Sequence, residues 1–193
     1  MHGFAKRGLA LAAATSGLVL GTAGIAAADA TATGESSHSG GIAAGNVANV
    51  PVAIPVNFCG NQALVIALKN VDEGQMCTIG AGEGASATGS SDKSGGIGSG
   101  NVANVAASVP ANVCGNQIGV GAVKTITKPS TCTVGTNGSD PGASATGASD
   151  HSGGILSGNV ANVAASVPLN ICGNQVEGVA ASDTVEGSTC SIG

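Results

Sequence analysis

Residues 45–61, Gly-Asn-Val-Ala-Asn-Val-Pro-Val-Ala-Ile-Pro-Val-Asn-Phe-Cys-Gly-Asn, decide how this chain is to be read. Within them Val50, Val52, Ile54, Val56 and Phe58 recur at every second position, against Asn49, Pro51, Ala53, Pro55, Asn57 and Cys59. A period of two is that of a β-strand with one apolar face. The parity returns at Val105, Ala107, Val109, Ala111 and Val113, and again at Val163, Ala165, Val167, Leu169 and Ile171. Pro51, Pro55, Pro110 and Pro168 offer no N–H to a ladder, so the strand is expected at an edge or kinked.

The stretch lies inside a unit present three times, at residues 32–80, 87–135 and 145–193. Each unit opens with a polar Gly/Ser-rich lead, read as flexible. The alternating strand follows, then a Cys-Gly-Asn turn in which Gly60, Gly115 and Gly173 permit positive φ. A second strand is expected at Ala63 to Leu68, Ile118 to Val123 and Val176 to Ala180, and a short third one at Cys77 to Ile79 and its copies. The joins, 81–86 and 136–144, are small and polar and are expected to act as flexible spacers. The fold expected is therefore all-β: three tandem small disulfide-stapled antiparallel β modules joined by flexible linkers.

Each unit holds two cysteines at one interval: Cys59 and Cys77, Cys114 and Cys132, Cys172 and Cys190. In an exported chain this spacing reads as three disulfides within repeats. Each closes a loop of about 19 residues and in the chain-entropy model stabilises its module by roughly 3 kcal/mol. Zinc is the competing use of cysteine, but no Cys-x-x-Cys occurs, and His38 and His151 give way to Lys93 in the middle copy.

Export is indicated by residues 1–30, read as a helical or disordered signal peptide. Lys6-Arg7 precede an apolar run from Leu9 through Leu20, and small residues follow, ending at Ala26-Ala27-Ala28 or at Ala28-Asp29-Ala30. No later stretch approaches the roughly 20 apolar residues of a membrane span, and the third unit reaches Gly193, so covalent anchoring to a wall is not expected. Without the leader, four lysines stand against ten acidic residues, a net −6. That balance makes nucleic acid an improbable partner.

Only one aromatic residue, Phe58, follows the leader, so each module is short of core material. Domains of this size need staples or association. The run Gln62, Ala63, Leu64, Val65, Ile66, Ala67, Leu68 has no charge, Pro or Gly, the composition of a cross-β segment, and is read as the self-assembly strand, with a buried strand in a small monomer as the alternative. Catalytic signals are weak. His38 and His151 sit in the leads with no rigid elbow near them. Gly40-Gly41 and Gly45 lack the strand-loop-helix setting of a phosphate loop. Asp72 and Glu73 form an acidic pair in one copy only. No enzyme, cofactor, metal or small-molecule substrate is expected.

Residues 45–61 with the later cysteine, and their copies through Asn116 and Asn174, resemble the chaplin domain of filamentous actinobacteria. The resemblance covers nearly the whole chain after the leader. It implies a secreted surfactant coat protein that self-assembles, alone or with other surface coat proteins, into amyloid-like films at air-water interfaces and coats aerial hyphae and spores. Three modules without an anchor depart from the family's long and short members. A soluble repeat protein for cell adhesion or wall binding is the alternative, its tandem copies supplying avidity.

Overall fold

Alternation at 45–61 does produce strands, and what they pair with sets the architecture. The computed structural model describes residues 10–12, 20–21, 25–26, 29–60, 62–63, 65, 70–72, 74–80, 84–121, 125–135, 142–174, 176, 178–179 and 183–192. Every pairing between strands among them is parallel, and every pairing between repeats joins equivalent positions of successive copies. The chain is thus a stack of three rungs, and the expectation of separate antiparallel modules is corrected. Alternation does not choose between the two pairings, since both have a two-residue period. Near-identity of the repeats chooses, because stacking in register sets each side chain beside its own kind.

Each rung begins with a lead strand, Ala30–Ser37, Ala85–Asp92 or Ala143–Asp150. These eight-residue strands are the polar leads, so the flexible reading is corrected there, and with it the spacer reading for residues 85–86 and 143–144. Residues 81–83 and 136–141 lie outside the described residues. A Gly-Gly-Ile strand follows, Gly40–Ile42, Gly95–Ile97 or Gly153–Ile155. Next comes the alternating strand: Val47–Asn49 with Val52–Ala53 in the first rung, Val102–Ser108 and Val160–Ser166 in the others. The Asn-x-Cys strand is Val56–Cys59, Ala111–Cys114 or Leu169–Cys172. The four prolines fall in gaps between strands, where no ladder bond is lost. Met76–Ile79, Thr131–Val134 and Thr189–Ile192 close the rungs.

Of the second strand expected in each repeat, Gln62–Ala63 pairs with Gln117–Ile118, and Val176 bridges to Ile118; residues 64, 66–68, 122–123, 177 and 180 lie outside the described residues. Residues 119–121 are not strand, Gly119 and Gly121 having no side chain to pack. Three short leader strands, Ala10–Ala12, Leu20–Gly21 and Ile25–Ala26, lie parallel to Val47–Asn49, Val56–Cys59 and Met76–Ile79 on the first rung.

Inside the stack, the sheet of lead strands packs on the sheet of alternating strands around Ala30, Ala53, Ala85, Ala87 and Ala106. The Asn-x-Cys sheet packs on the closing sheet around the cysteines, with Ile79 and Val134 beside them. Around the alanines and the lead-strand glycines the layers approach closely. At Gly89 an added Cβ would stand 2.7 Å from Asn104 Oδ1 and 2.8 Å from Val102 Cγ1.

A candidate functional surface

The alternating strand buries the face opposite to the one hydrophobicity suggests. Asn49, Pro51, Ala53, Pro55, Asn57 and Cys59 point inward, while Val50, Val52, Ile54 and Phe58 are 57%, 37%, 47% and 45% exposed. The buried asparagines are the reason. Asn49 Nδ2 donates to Thr88 O at 2.8 Å and to Asn104 Oδ1 at 2.8 Å. Asn104 repeats this one rung on, to Thr146 O at 2.8 Å and Asn162 Oδ1 at 2.9 Å. Asn112 reaches Cys77 O at 3.1 Å and Thr133 O at 3.3 Å, and Asn170 reaches Cys132 O and Ser191 O, both at 3.0 Å. An amide offers two N–H groups, enough to join a facing sheet and a neighbouring rung together. Hydrogen-bonded in this way, it occupies a position that an unpaired polar group would make costly.

What remains outside is sorted by face. Stacking in register lines up Val52 with Ala107, Phe58 with Val113 and Ile171, Val105 with Val163, and Val56 with Ala111 and Leu169. These rows form an aliphatic exterior over the alternating and Asn-x-Cys sheets. Ile42, Ile97 and Ile155 add an exposed row at the Gly-Gly-Ile turns. On the opposite exterior the lead strands turn Thr31, Thr33 and Glu35, Ser86, Thr88 and Ser90, and Ser144, Thr146 and Ala148 outward. The closing strands present Thr78, Thr133 and Ser191 on that side, with Met76 as an apolar exception. The protein is a slab with an aliphatic face, a hydroxyl face and an amide-laced interior. The outward rows of the lead and closing strands are mostly Ser and Thr, whereas Asn49, Asn57, Asn104 and Asn112 are inside.

Cystines join Cys59 to Cys77, Cys114 to Cys132 and Cys172 to Cys190, with Cα–Cα separations of 6.3, 6.4 and 6.4 Å. The sulfurs of Cys59, Cys77 and Cys114 lie within 4.8 Å of one another, a consequence of rung stacking. Bonded as cystine they offer no thiolate to a metal. Of the cross-β run, Gln62 and Ala63 are strand and Val65 is 72% exposed; Leu64, Ile66, Ala67 and Leu68 lie outside the described residues.

His38, Lys93 and His151 occupy equivalent turns, each with positive φ of 52°, 51° and 50°. Asp92 accepts from Lys93 Nζ at 3.0 Å and lies 3.3 Å from His151 Nδ1. The hydrogen bond from Lys93 is the main cause holding the Asp92 carboxyl below its usual value, with His151 adding to it. All three groups are solvent-facing, and among the described residues beside them no nucleophile has a positioned base. Gly40 and Gly41 are ladder residues paired with Gly95 and Gly96, and Gly45 receives Ser91 Oγ at its carbonyl, 3.2 Å. Asp72 ends a strand paired with Thr125–Thr127; Glu73 lies outside the described residues.

Sequence reasoning overlooked the asparagine ladders and the serine bonds from Ser91 and Ser149 to the Gly45 and Gly100 carbonyls. A signal was there: Asn49, Asn104 and Asn162 are the same residue in all three copies, while the apolar positions of Val52, Ile54, Val56 and Phe58 hold other residues in the second and third.

By fold and surface this is a tandem-repeat β stack, cystine-pinned and two-faced. The ChpA-C family matches residues 23–78, 79–133 and 136–191, and the chain belongs to it, as a member of the chaplin family with three chaplin domains. Over 72 residues it is 53% identical to Chaplin-H of Streptomyces coelicolor, covering 37% of this chain and 94% of that protein. Chaplin-F of the same organism is 51% identical over 71 residues, 37% of this chain and 81% of that protein. Chaplin-B is 30% identical over 170 residues, 86% of this chain and 57% of that protein. No solved structure matches the chain.

Proposed function

We propose that the chain is a secreted, surface-active coat protein that spreads its aliphatic face on an air-water boundary and assembles there into β-rich films over hyphae or spores. The observation that carries this reading is the division of the exterior into aliphatic rows on one side and Ser/Thr rows on the other. A contiguous exposed apolar surface of this kind marks an interaction site. Removing it from water is favourable by roughly 25 cal/mol per Å², and an air boundary accepts a flat aliphatic face without needing a complementary pocket. Partners are further copies and other chaplins. The protein acts as material, not as an enzyme, and residues 1–30 serve its export.

Pendant-drop tensiometry with thioflavin fluorescence tests the proposal. Purified protein at micromolar concentration lowers surface tension and becomes thioflavin-positive. The triple variant Ile54→Thr, Val109→Thr, Val167→Thr converts one outward row to hydroxyls while keeping β-branched side chains. It should retain the wild-type unfolding midpoint and lose surface activity. A triple variant as surface-active as the wild type would sink the assignment of the aliphatic face.

A further inference from the structure

The stack has two chemically different ends. Along the buried ladder every amide donates in one direction, Asn49 to Asn104 and Asn104 to Asn162. The first rung is therefore left with this ladder's unused acceptor: Asn49 Oδ1 is buried and has no hydrogen-bond partner among the described residues, a condition it shares with Asn112 and Asn170 Oδ1 on the Asn-x-Cys strands. The third rung ends the ladder with Asn162, whose oxygen is taken by Asn104 and whose N–H groups are next in the donor sequence. Such an orphaned buried oxygen is costly and calls for a donor.

We propose that the first rung of one copy docks on the third rung of another, head to tail and in parallel register, with Asn162 donating to Asn49 Oδ1 across the joint. This rests on the assembly reading above and adds to it the contact and its polarity. The first rung's free edge accepts parallel strands, since the leader strands Ala10–Ala12, Leu20–Gly21 and Ile25–Ala26 lie on it in the place of a preceding rung. The leader sets Ala12 opposite Asn49 and supplies no amide there. Export removes this occupant. The third rung offers what the leader lacks: Val160–Ser166 has the same sequence as Val102–Ser108, the strand that already pairs with Val47–Asn49. Its face is exposed almost throughout. An interface joining unlike ends does not close on itself and grows as a filament.

Single prolines block one end at a time. Val47 N–H donates to Asn101 O, so the next N–H, that of Ala48, points away from the stack. Val167 N–H donates to Ser108 O, which by the same alternation turns Ala164 N–H outward from the third rung. Ala48→Pro thus obstructs the head and Ala164→Pro the tail without removing a bond inside the stack.

The test uses exported protein recovered without its leader, examined by sedimentation and electron microscopy, with circular dichroism as the folding check. The wild type forms filaments, each variant alone stays monomeric, and their equimolar mixture yields a dimer and nothing larger. Self-pairing by either variant, or a mixture that stays monomeric while the wild type assembles, overturns the head-to-tail contact and leaves the assembly reading intact. A wild type that never assembles overturns both. Should either proline variant fail to fold, Val50→Pro and Val160→Pro obstruct the same edges. Asn162→Asp keeps the acceptor for Asn104 and deletes the donors, and should raise the critical concentration about tenfold at neutral pH; an unchanged value overturns the ladder joint.

Discussion

Gly89 shows how much a single missing side chain matters here. It sits in the lead strand opposite Asn104 and Val102, and a methyl group there would overlap both. Its backbone is ordinary strand, so the requirement is one of space and not of φ. Gly89→Ala should lower stability by about 1–3 kcal/mol through overpacking, read as a shift in the urea midpoint; an unchanged midpoint would mean that the two sheets separate freely. Gly34 and Gly147 face the same constraint from Val47 and Asn49 and from Asn104 and Asn162. In the sequence these glycines look like loop residues, because a glycine kept for close approach and one kept for flexibility leave the same mark. The asparagines mislead similarly: polarity alone assigns them to the surface, and their burial becomes visible only once a partner amide lies one rung away.

At the scale of strands, what the sequence discloses is periodicity, turn positions and cysteine spacing, and these correspond to elements in the structure. Gly60, Gly115 and Gly173 do take positive φ, 79°, 80° and 75°, after the Asn-x-Cys strands. What alternation leaves unspecified is the partner of each strand and the face it buries. Val50 to Phe58 read as an inward face only if core and hydrophobicity are equated, whereas a small-residue interior with amide ladders reverses that assignment. Pairing by rung also changes what the cystines do. Since the neighbouring rungs already place Cys114 and Cys132, their bond acts chiefly on the unfolded chain. The double variant Cys114→Ala, Cys132→Ala should keep its β-sheet circular dichroism and lose about 3 kcal/mol of stability, the loop-closure value for about 19 residues. Loss of the sheet signal itself would show that the bond builds the rung.

Over the whole molecule, position in the stack grades stability. The second rung has a neighbour on both sides and its alternating strand is buried at every second residue, while the matching strand of the third is exposed nearly throughout. In a one-dimensional stack each unit is held by its own stability and its interfaces, so amide exchange should be slowest at Val102–Ser108 and fastest at Val160–Ser166. Mass spectrometry of exchanged peptides reads this directly, and uniform protection would contradict a rung-by-rung arrangement. Equivalent residues are 55 apart between the first and second rungs and 58 apart between the second and third, yet register is kept through both. The joins therefore do not set the register, much as the cord between beads does not fix how the beads nest. Duplicating or excising a whole unit would leave every remaining bead seated as before, so the number of units is free to differ from one such chain to the next.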